Sequence, residues 1–426
     1  MKVDKVRKVA IIGGNRIPFA RSNSVYSHAS NQDMLTAALN GLVERYKLAG
    51  ELMGEVAGGA VMKHSRDFNL VRESVLSTQL APETPCYDVQ QACGTGLEAA
   101  ILVANKIALG QIDCAIACGV DTTSDAPIGV SEGLRKILLD LNRAKTTPDR
   151  LKLLAKLRPK DLMPLIPANS EPRTGLAMGE HCQITAKEWN IPRDEQDLLA
   201  YNSHVNMAKA YDEGFFDDMI TPYMGLDRDN NLRGNTTLEK LASLKPVFDR
   251  ENGTMTAANS TPLTDGASSV LLATEEWAKE RGLPILAYIT YCETAAVDFV
   301  GKKEGLLIAP AYAVPRMLDR AGITLQDFDF YEVHEAFAAQ VLYTLKAWED
   351  EKFCKERLGH DGVLGSIDRS KLNIKGSSLA AGHPFAATGA RIVHTLAKLL
   401  NEKGSGRGLI SICAAGGQGV TAILEK

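Results

Sequence analysis

Short runs of β-branched and apolar residues alternate along the chain with longer segments whose apolar positions recur at helical spacing. Near the start, Val9 to Ile12 predicts a buried strand and Asp33 to Leu48 predicts an amphipathic helix. Gly94 to Leu109 predicts a second helix, rich in alanine and leucine, and Ile112 to Cys118 predicts another buried strand. This alternation indicates an α/β fold, in which helices cover a central sheet.

The middle of the chain, from about Asp125 to Asp249, breaks this pattern. It is more charged and includes the basic stretch Arg143 to Lys160 and the proline-containing run Leu162 to Pro172. Within it, Arg193 to Gly214 predicts one long helix, opened by a proline and two acidic residues. We interpret residues 125–249 as an inserted loop domain that folds over the core. Its apolar residues suit a lid, a partner surface or a contact with a membrane surface.

The final third of the chain resembles the first third in its order of elements. Ala92 to Gly96, followed by a helix and a strand, corresponds to Ala386 to Gly389, followed by a helix and the strand Leu409 to Cys413. Each series ends in a glycine-rich turn. The repeat predicts a duplicated fold with two similar halves, residues 1–271 and 278–426, with the insertion in the first half.

The composition bounds the size of the fold and disfavours some partner classes. The chain has 426 residues, 45% apolar and 23% charged, which is typical of a globular protein too long for a single core. Lys plus Arg is 48 against 52 Asp plus Glu, so the net charge of -4 gives no reason to expect nucleic acid. No apolar stretch is long enough to cross a bilayer, and Met1 to Arg7 lacks the features of a signal peptide. We therefore expect a cytoplasmic protein.

Eight cysteines occur without the spacing of a disulfide framework or a zinc site, so we expect free thiols and no metal. Cys93 lies between a β-rich stretch, Pro85 to Val89, and the helix that begins near Gly94. The amides and partial positive charge of a helix N-terminus favour thiolate over thiol, and Gly94 and Gly96 leave the sulfur accessible. Cys93 is therefore a candidate nucleophile, with a small buried residue at a helix start as the alternative interpretation.

Three further residues have side chains suited to assist a thiol nucleophile. His383 lies in a loop fixed by Pro384 and can take the thiol proton, although a solvated loop histidine is a common alternative. Cys413 ends a strand and can act as an acid or base, and the small residues after it expose amides that suit an oxyanion hole. His334 precedes Glu335 in a segment that does not continue to the HExxH of a zinc protease. Each signal alone is also compatible with an ordinary core or loop residue.

Taken together, five segments resemble the thiolase family over nearly the whole chain. They are the Cys93 turn, Gly253 to Ser260 with Asp265 to Ala267, His334 to Phe337, Gly382 to Pro384, and the glycine turn after Cys413. A histidine at 334, where many thiolases carry asparagine, together with the basic and proline-rich segment 143–172, resembles the β-subunit branch. Two details depart from the family pattern, namely the residues Gln91-Ala92 before the nucleophile and Ala415 in place of a common glycine.

This resemblance implies a duplicated thiolase-type α/β fold, with two similar βαβ halves packed in α/β/α/β/α layers and an inserted loop domain. It also implies an acetyl-CoA C-acyltransferase that uses coenzyme A as co-substrate and binds no permanent cofactor. Such an enzyme cleaves 3-ketoacyl-CoA in fatty-acid β-oxidation, and we expect Ser260 and Thr261 to contact coenzyme A. Thiolases of this branch form homodimers or tetramers and associate with a hydratase–dehydrogenase subunit, which we expect here too.

The family's site residues carry over to matching positions of this sequence. Cys93 is expected to form the acyl-thioester, and His383 to activate it and contribute to an oxyanion hole. Cys413 is expected to act as acid and base, and His334 to hold a water at the same oxyanion hole. The backbone amides of Cys93 and Ala415 are expected to form a second oxyanion hole.

The residues leave other activities open. The same machinery run in reverse would condense two acetyl-CoA molecules, as in a biosynthetic acetyl-CoA acetyltransferase. A condensing enzyme of the 3-ketoacyl synthase type would share the fold, but its partners would be two histidines or a histidine and an asparagine, whereas Cys413 favours a thiolase. A non-catalytic scaffold subunit of a β-oxidation complex would need no reactive thiol. A nicotinamide dehydrogenase is disfavoured because the turn at Gly13-Gly14 lacks a third glycine and Pro18 interrupts the helix.

Overall fold

The computed structural model describes residues 6–426, so Met1 to Lys5, at the start of the predicted N-terminal half, lie outside the described residues. Within that range the chain forms ten strands and fourteen α-helices. The strands are β1 (Val9–Arg16), β2 (Ala20–Arg21), β3 (Glu55–Gly58), β4 (Cys86–Asp88), β5 (Cys114–Asp121), β6 (Thr264–Ala273), β7 (Ala287–Ala296), β8 (Phe330–Val333), β9 (Arg407–Ala414) and β10 (Gln418–Glu425). The helices are α1 (Asn31–Arg45), α2 (Leu70–Leu76), α3 (Thr95–Ala108), α4 (Glu132–Arg143), α5 (Thr147–Leu154), α6 (Met178–Glu188), α7 (Arg193–Asp212), α8 (Leu238–Ala242), α9 (Glu275–Glu280), α10 (Pro310–Ala321), α11 (Ala338–Glu349), α12 (Glu351–Phe353), α13 (Ser378–Ala381) and α14 (Thr388–Lys403).

The order of the strands confirms the predicted duplication. The sheet runs β4-β3-β5-β6-β1-β7-β10-β9-β8, and β2 pairs with β6. On one side of the central β1–β7 pair, β5 is parallel to β3 and antiparallel to β6. On the other side, β9 is likewise parallel to β8 and antiparallel to β10. The series β3-β5-β6-β1 and β8-β9-β10-β7 are therefore two copies of one arrangement, joined where Ala10 pairs with Tyr288.

Alternate residues of each strand pack against different helices, which builds the predicted α/β/α/β/α layers. Along β1, Val9 and Ile11 belong to a core shared with α3 and α14, whereas Ala10 and Ile12 pack with α1 and α2. The core that contains α3 and α14 also includes residues of β9 and β10. These two helices therefore form the middle layer between the two half-sheets. Helices α10 and α11 pack with β8 and β9 in a further core and form the outer layer of the C-terminal half.

The two helices of the middle layer approach each other at glycines near their N-terminal ends. A Cβ added to Gly389 would lie 2.1 Å from the Leu97 nitrogen, and one added to Gly96 would lie 2.6 Å from the Ala386 carbonyl oxygen. A side chain at either position would therefore push the helices apart. This close approach brings together the two turns that precede the helices, one from each half of the fold.

The predicted insertion lies between the end of β5 and the start of β6, and it carries α4 to α8. Helix α7 confirms the long helix predicted from Arg193. Helices α4 and α5 have no buried residues, and the four apolar residues Leu162, Met163, Leu165 and Ile166 are each more than 60% exposed. Within residues 6–426, none of the helices is long and apolar enough to cross a membrane.

A buried ion pair fixes the insertion to the core. Arg16, at the end of β1, donates to the two oxygens of Asp229 at 2.6 and 2.8 Å. Asp229 also accepts hydrogen bonds from the Phe19 backbone nitrogen at 2.7 Å and from the Tyr211 hydroxyl at 2.9 Å. The side chains of Arg16 and Asp229 are only 4% and 0% exposed. Because the carboxylate has four donors, its buried charge is compensated, and removing it would leave Arg16 buried without a counter-ion.

We expect Asp229→Ala to lower the free energy of unfolding by about 3–5 kcal/mol, because it leaves the Arg16 guanidinium buried and unpaired. Asp212→Ala is the matched control, since Asp212 pairs with Arg228 at 3.1 Å on the surface, where both side chains are solvated. Urea unfolding of the two variants, followed by circular dichroism, measures the difference. Equal losses in the two variants would contradict the anchoring role of the buried pair.

Candidate active site

The turn that carries Cys93 connects β4 to α3 and is held by local hydrogen bonds. Ala92, directly before the cysteine, has a φ of +46°, a left-handed conformation that costs a residue with a side chain about 1–3 kcal/mol. The Thr95 hydroxyl donates to the Ala92 carbonyl at 2.7 Å and accepts from the Gln91 nitrogen at 2.8 Å. These bonds hold a strained turn, and they present a partly exposed Cys93 at the start of the helix.

His383 lies in the equivalent turn of the second half, before α14. Gly382 has a φ of +100°, which favours glycine, and the His383 nitrogen donates to the Thr264 hydroxyl at 2.7 Å. The ring atom Nδ1 lies 2.6 Å from the Thr388 hydroxyl, whereas Nε2 is buried without a hydrogen-bond partner among the described residues. The histidine is therefore oriented through Nδ1, and its Nε2 is free to act on another group.

His334 follows directly after β8 and is also held through one ring nitrogen. Its Nδ1 lies 2.8 Å from the Ser378 hydroxyl, and its Nε2 is buried and has no partner within residues 6–426. The neighbouring Glu335 fixes the segment, because its carboxylate accepts from the Ser203 hydroxyl and the Asn373 amide, each at 2.7 Å. Because Ser203 lies on α7, the insertion helps to position this segment.

The structure brings Cys93 and the two histidines together. The two imidazole rings are 4.1 Å apart between centroids and are inclined by 48°. The Cys93 sulfur and one ring nitrogen from each histidine all lie within 4.8 Å of one another. A thiol and two imidazoles at this separation form a candidate site for nucleophilic catalysis. The expectation that no metal binds there stays a prediction.

Cys413 and the turn after it complete the site. Cys413 is buried near the end of β9, and the Ala415 amide that follows donates to the Cys93 sulfur. Gly416 and Gly417 have φ values of +78° and +72°, which make the tight turn possible. Burial raises the pKa of the Cys413 thiol, and a negative charge on Cys93 adds to this shift, so the two thiols interact.

Comparison with family models gives two matches that together span nearly the whole chain. Residues 9–276 match the model described as "Thiolase, N-terminal domain", and residues 283–426 match "Thiolase, C-terminal domain". The chain belongs to the thiolase family. It is therefore an acyltransferase, as the resemblance of its five segments predicts.

Individual relatives support the same assignment. A 3-ketoacyl-CoA thiolase of Yersinia enterocolitica is 42% identical over 424 residues, which cover 98% of this chain and 97% of the relative. Among solved structures, Bacillus anthracis acetyl-CoA acetyltransferase has a TM-score of 0.81 at 28% identity and covers 99% of both chains. Human mitochondrial 3-ketoacyl-CoA thiolase in complex with CoA has a TM-score of 0.80 at 26% identity, covering 99% of this thiolase and 98% of that chain.

In this thiolase, burial favours the neutral forms of both Cys93 and His383. Burial raises the pKa of the Cys93 thiol to about 12, and the charge of Asp121 adds to this shift, while the amides of Ala415 and Cys93 oppose it. Burial and the positive charge of Arg391 lower the pKa of His383 to about 3. The amides near the helix N-terminus thus favour a Cys93 thiolate, as expected from the sequence, whereas the desolvation of the sulfur opposes it.

The rate of Cys93 alkylation by iodoacetamide should rise about tenfold per pH unit between pH 7 and 9, because the reactive thiolate remains a small fraction below its pKa. Mass spectrometry of the Cys93 peptide gives the rate, and Cys93→Ala gives the background from the other thiols. A rate that levels off below pH 8 would show that the thiol already ionises near neutral pH in the resting protein.

The two residues predicted to contact coenzyme A lie beside the His334 segment. The Thr261 hydroxyl and backbone nitrogen both donate to the Ala336 carbonyl at 3.0 Å, so this side chain already has a structural partner. The Ser260 hydroxyl is buried and has no hydrogen-bond partner within the described part of the chain. The geometry thus distinguishes two residues that the sequence pattern treats alike, and it leaves Ser260 with the free polar group.

Several polar residues that shape the site were missed by reasoning from the sequence. Glu171 of the insertion accepts from the Gly416 nitrogen at 2.6 Å and so stabilises the turn at Ala415. Asp121 accepts from the Ala386 nitrogen at 2.9 Å, next to the His383 turn. Arg391 lies in the first turns of α14, where every residue from Thr388 to Ala397 is buried. This burial is a property of the folded molecule, and the polar and apolar residues of the segment give no signal of it in the sequence.

Proposed function

We propose that this thiolase cleaves 3-ketoacyl-CoA with coenzyme A, giving acetyl-CoA and an acyl-CoA shortened by two carbons. The observation that carries the proposal is the meeting of Cys93 with two histidines whose Nε2 atoms have no partner in residues 6–426, beside a second thiol. The 42% identity to 3-ketoacyl-CoA thiolases over nearly the full chain supports thiolytic cleavage.

In the first half-reaction, His383 Nε2 takes the proton of Cys93 as the sulfur attacks the 3-keto carbon. The resulting oxyanion is stabilised by backbone amides such as those of Cys93 and Ala415. The C2–C3 bond then breaks, its electron pair forms the enolate of acetyl-CoA, and Cys413 protonates that carbon. His383 and a water bound to His334 stabilise the enolate oxygen. The products are acetyl-CoA, an acyl-thioester on Cys93, a Cys413 thiolate and a protonated His383.

In the second half-reaction, the Cys413 thiolate takes the thiol proton of coenzyme A. The CoA sulfur attacks the thioester carbonyl, the bond to Cys93 breaks, and the shortened acyl-CoA leaves. His383 returns its proton to Cys93, which restores the neutral forms of both residues.

Coenzyme A is a substrate in this scheme, and no permanent cofactor takes part. The structural similarity to a human thiolase in complex with CoA supports CoA binding. We propose that the pantetheine passes Ser260, whose buried hydroxyl has no partner among the described residues, with Thr261 shaping the loop. Basic residues of the insertion are suited to the adenosine phosphates. Homodimer or tetramer formation, association with a hydratase–dehydrogenase subunit, and a cytoplasmic location stay predictions.

Condensation of acetyl-CoA is the second candidate, favoured by the structural similarity to an acetyl-CoA acetyltransferase. The protein is incubated with coenzyme A and 3-ketoacyl-CoA of short, medium and long chain, or with acetyl-CoA alone, and products are identified by liquid chromatography and mass spectrometry. Equal amounts of acetyl-CoA and shortened acyl-CoA are expected. Acetoacetyl-CoA formation without measurable thiolysis would replace the proposal with a biosynthetic role, and no product in any arm would favour a scaffold subunit.

A further inference from the structure

Arg391 is a buried cation near the start of α14 that contacts the site only through other residues. It is 4% exposed, and its Nη2 donates to the Ser378 hydroxyl at 2.9 Å and to the Ser377 hydroxyl at 3.3 Å. It forms no ion pair within 4.0 Å in the part of the chain that the structure describes. The guanidinium therefore directs its donors to two serine hydroxyls, and one of these, Ser378, contacts His334.

The donors and acceptors in the hydrogen bonds that connect Arg391, Ser378 and His334 can be assigned. The Ser378 hydroxyl has two side-chain partners within residues 6–426, Arg391 Nη2 at 2.9 Å and His334 Nδ1 at 2.8 Å. An arginine only donates, so the first contact uses a lone pair of the serine oxygen. The hydroxyl hydrogen is then left to donate to Nδ1 of His334, the remaining partner. A neutral imidazole that accepts at Nδ1 carries its proton on Nε2.

Other charges around Arg391 agree with a neutral His334. The nearby Glu332 is buried, its two carboxylate oxygens have no hydrogen-bond partner in the described chain, and burial raises its pKa to about 8. Burial lowers the pKa of Arg391 to about 10, so the guanidinium keeps its charge at neutral pH. Burial, His383 and Arg391 all lower the pKa of His334, so its imidazole carries a single proton.

We propose that Arg391 is a positioning residue which, through the Ser378 hydroxyl, holds His334 in the tautomer with the proton on Nε2. The Nε2 of His334 has no partner among the described residues. In this tautomer it is a permanent hydrogen-bond donor to the water that stabilises the enolate oxygen. His383 has the opposite requirement, because its Nε2 must be unprotonated to accept the Cys93 proton. The two histidines thus take complementary tautomers. The value of this donor for catalysis rests on the proposed function, whereas the tautomer itself does not.

The tautomer is measured in the resting protein by nuclear magnetic resonance with ¹⁵N-labelled histidine. Protonated and unprotonated ring nitrogens have well-separated ¹⁵N chemical shifts. The set of signals that disappears in His334→Asn belongs to His334. Wild type is expected to show His334 protonated on Nε2 alone. In Arg391→Met and Ser378→Ala, a population protonated on Nδ1 is expected. Ser377→Ala is the matched control, because it removes the other acceptor of Arg391 without touching His334, and it should keep the wild-type pattern.

Kinetics then separate positioning from a merely structural role. Arg391→Met is expected to lower kcat about 10- to 100-fold with little change in KM, which is at or below the loss that follows complete removal of one oxyanion donor. In a His334→Asn background the same change should cost no more than about twofold, since an asparagine amide carries donor hydrogens without any tautomer. Ser378→Ala provides the same comparison if Arg391→Met does not fold.

Two results would overturn the inference. One is a wild-type His334 with its proton on Nδ1. The other is an equal loss of kcat from Arg391→Met in the His334 and His334→Asn backgrounds, which would show that the arginine only stabilises the fold. A protein without thiolase activity that still shows the Nε2 proton would contradict the proposed function alone, so the two failures are distinguishable.

Discussion

Cys93→Ala is expected to lower kcat/KM for thiolysis by about 10⁴-fold or more, because removing the nucleophile abolishes the covalent route. Cys413, the second thiol of the site, is buried and serves in this scheme as an acid and base, so it does not replace Cys93 as the nucleophile. Release of acetyl-CoA from a 3-ketoacyl-CoA, followed with purified variant and wild type under identical conditions, measures the loss.

Cys93→Ser and Cys292→Ala are the controls for that result. The serine variant keeps the size and the hydrogen bond from Ala415, so it tests whether the sulfur itself is needed. Cys292 is a partly exposed thiol on β7, outside the site, and its replacement should leave activity at the wild-type level. Substantial turnover by Cys93→Ala would show that another group attacks the substrate.

Cys413→Ala should lower kcat for thiolysis by about 10²- to 10⁴-fold, the usual contribution of a general acid or base. Its effect should be confined to steps that make or break a bond to the α-carbon. Transfer of an acetyl group from acetyl-CoA to Cys93 is a thioester exchange and needs no α-carbon chemistry. The variant should therefore still form the acetyl adduct.

Exchange of the acetyl-CoA α-hydrogens with deuterated solvent isolates this step. The wild type should catalyse the exchange, because Cys413 is proposed to add and remove a proton at that carbon. Cys413→Ala should lose the exchange while retaining acetylation of Cys93. A variant that exchanges at the wild-type rate would move the acid–base role to another residue.

The regular elements could be predicted from sequence because they depend on local periodicity, and the existence of two similar halves could be predicted from the repeated order of those elements. The long helix at Arg193 and the strand–turn–helix around Cys93 are examples, and the repeated turn before α14 predicted the duplication. The four segments that supply Cys93, His334, His383 and Cys413 were identified because together they resemble the motifs of the thiolase family, although each alone is compatible with an ordinary residue.

The hydrogen bonds that connect Arg391 to His334 through Ser378 could not be predicted, because they depend on how separate elements pack. Ser378 and Arg391 lie on different helices, and only their packing shows that one hydroxyl contacts both the guanidinium and His334. The balance of effects on the pKa of Cys93 could not be predicted for a related reason. The sequence shows that amides surround the sulfur, but the extent of its desolvation is a property of the folded molecule.

The most direct test is the mass of the intact protein after mixing with a 3-ketoacyl-CoA in the absence of free coenzyme A. The wild type should gain the mass of the substrate's acyl group less its acetyl unit, and peptide mapping should place that mass on Cys93. Later addition of coenzyme A should remove it as acyl-CoA. A wild-type protein that gains no mass, or gains it on a residue other than Cys93, would contradict catalysis through an acyl-thioester on this cysteine.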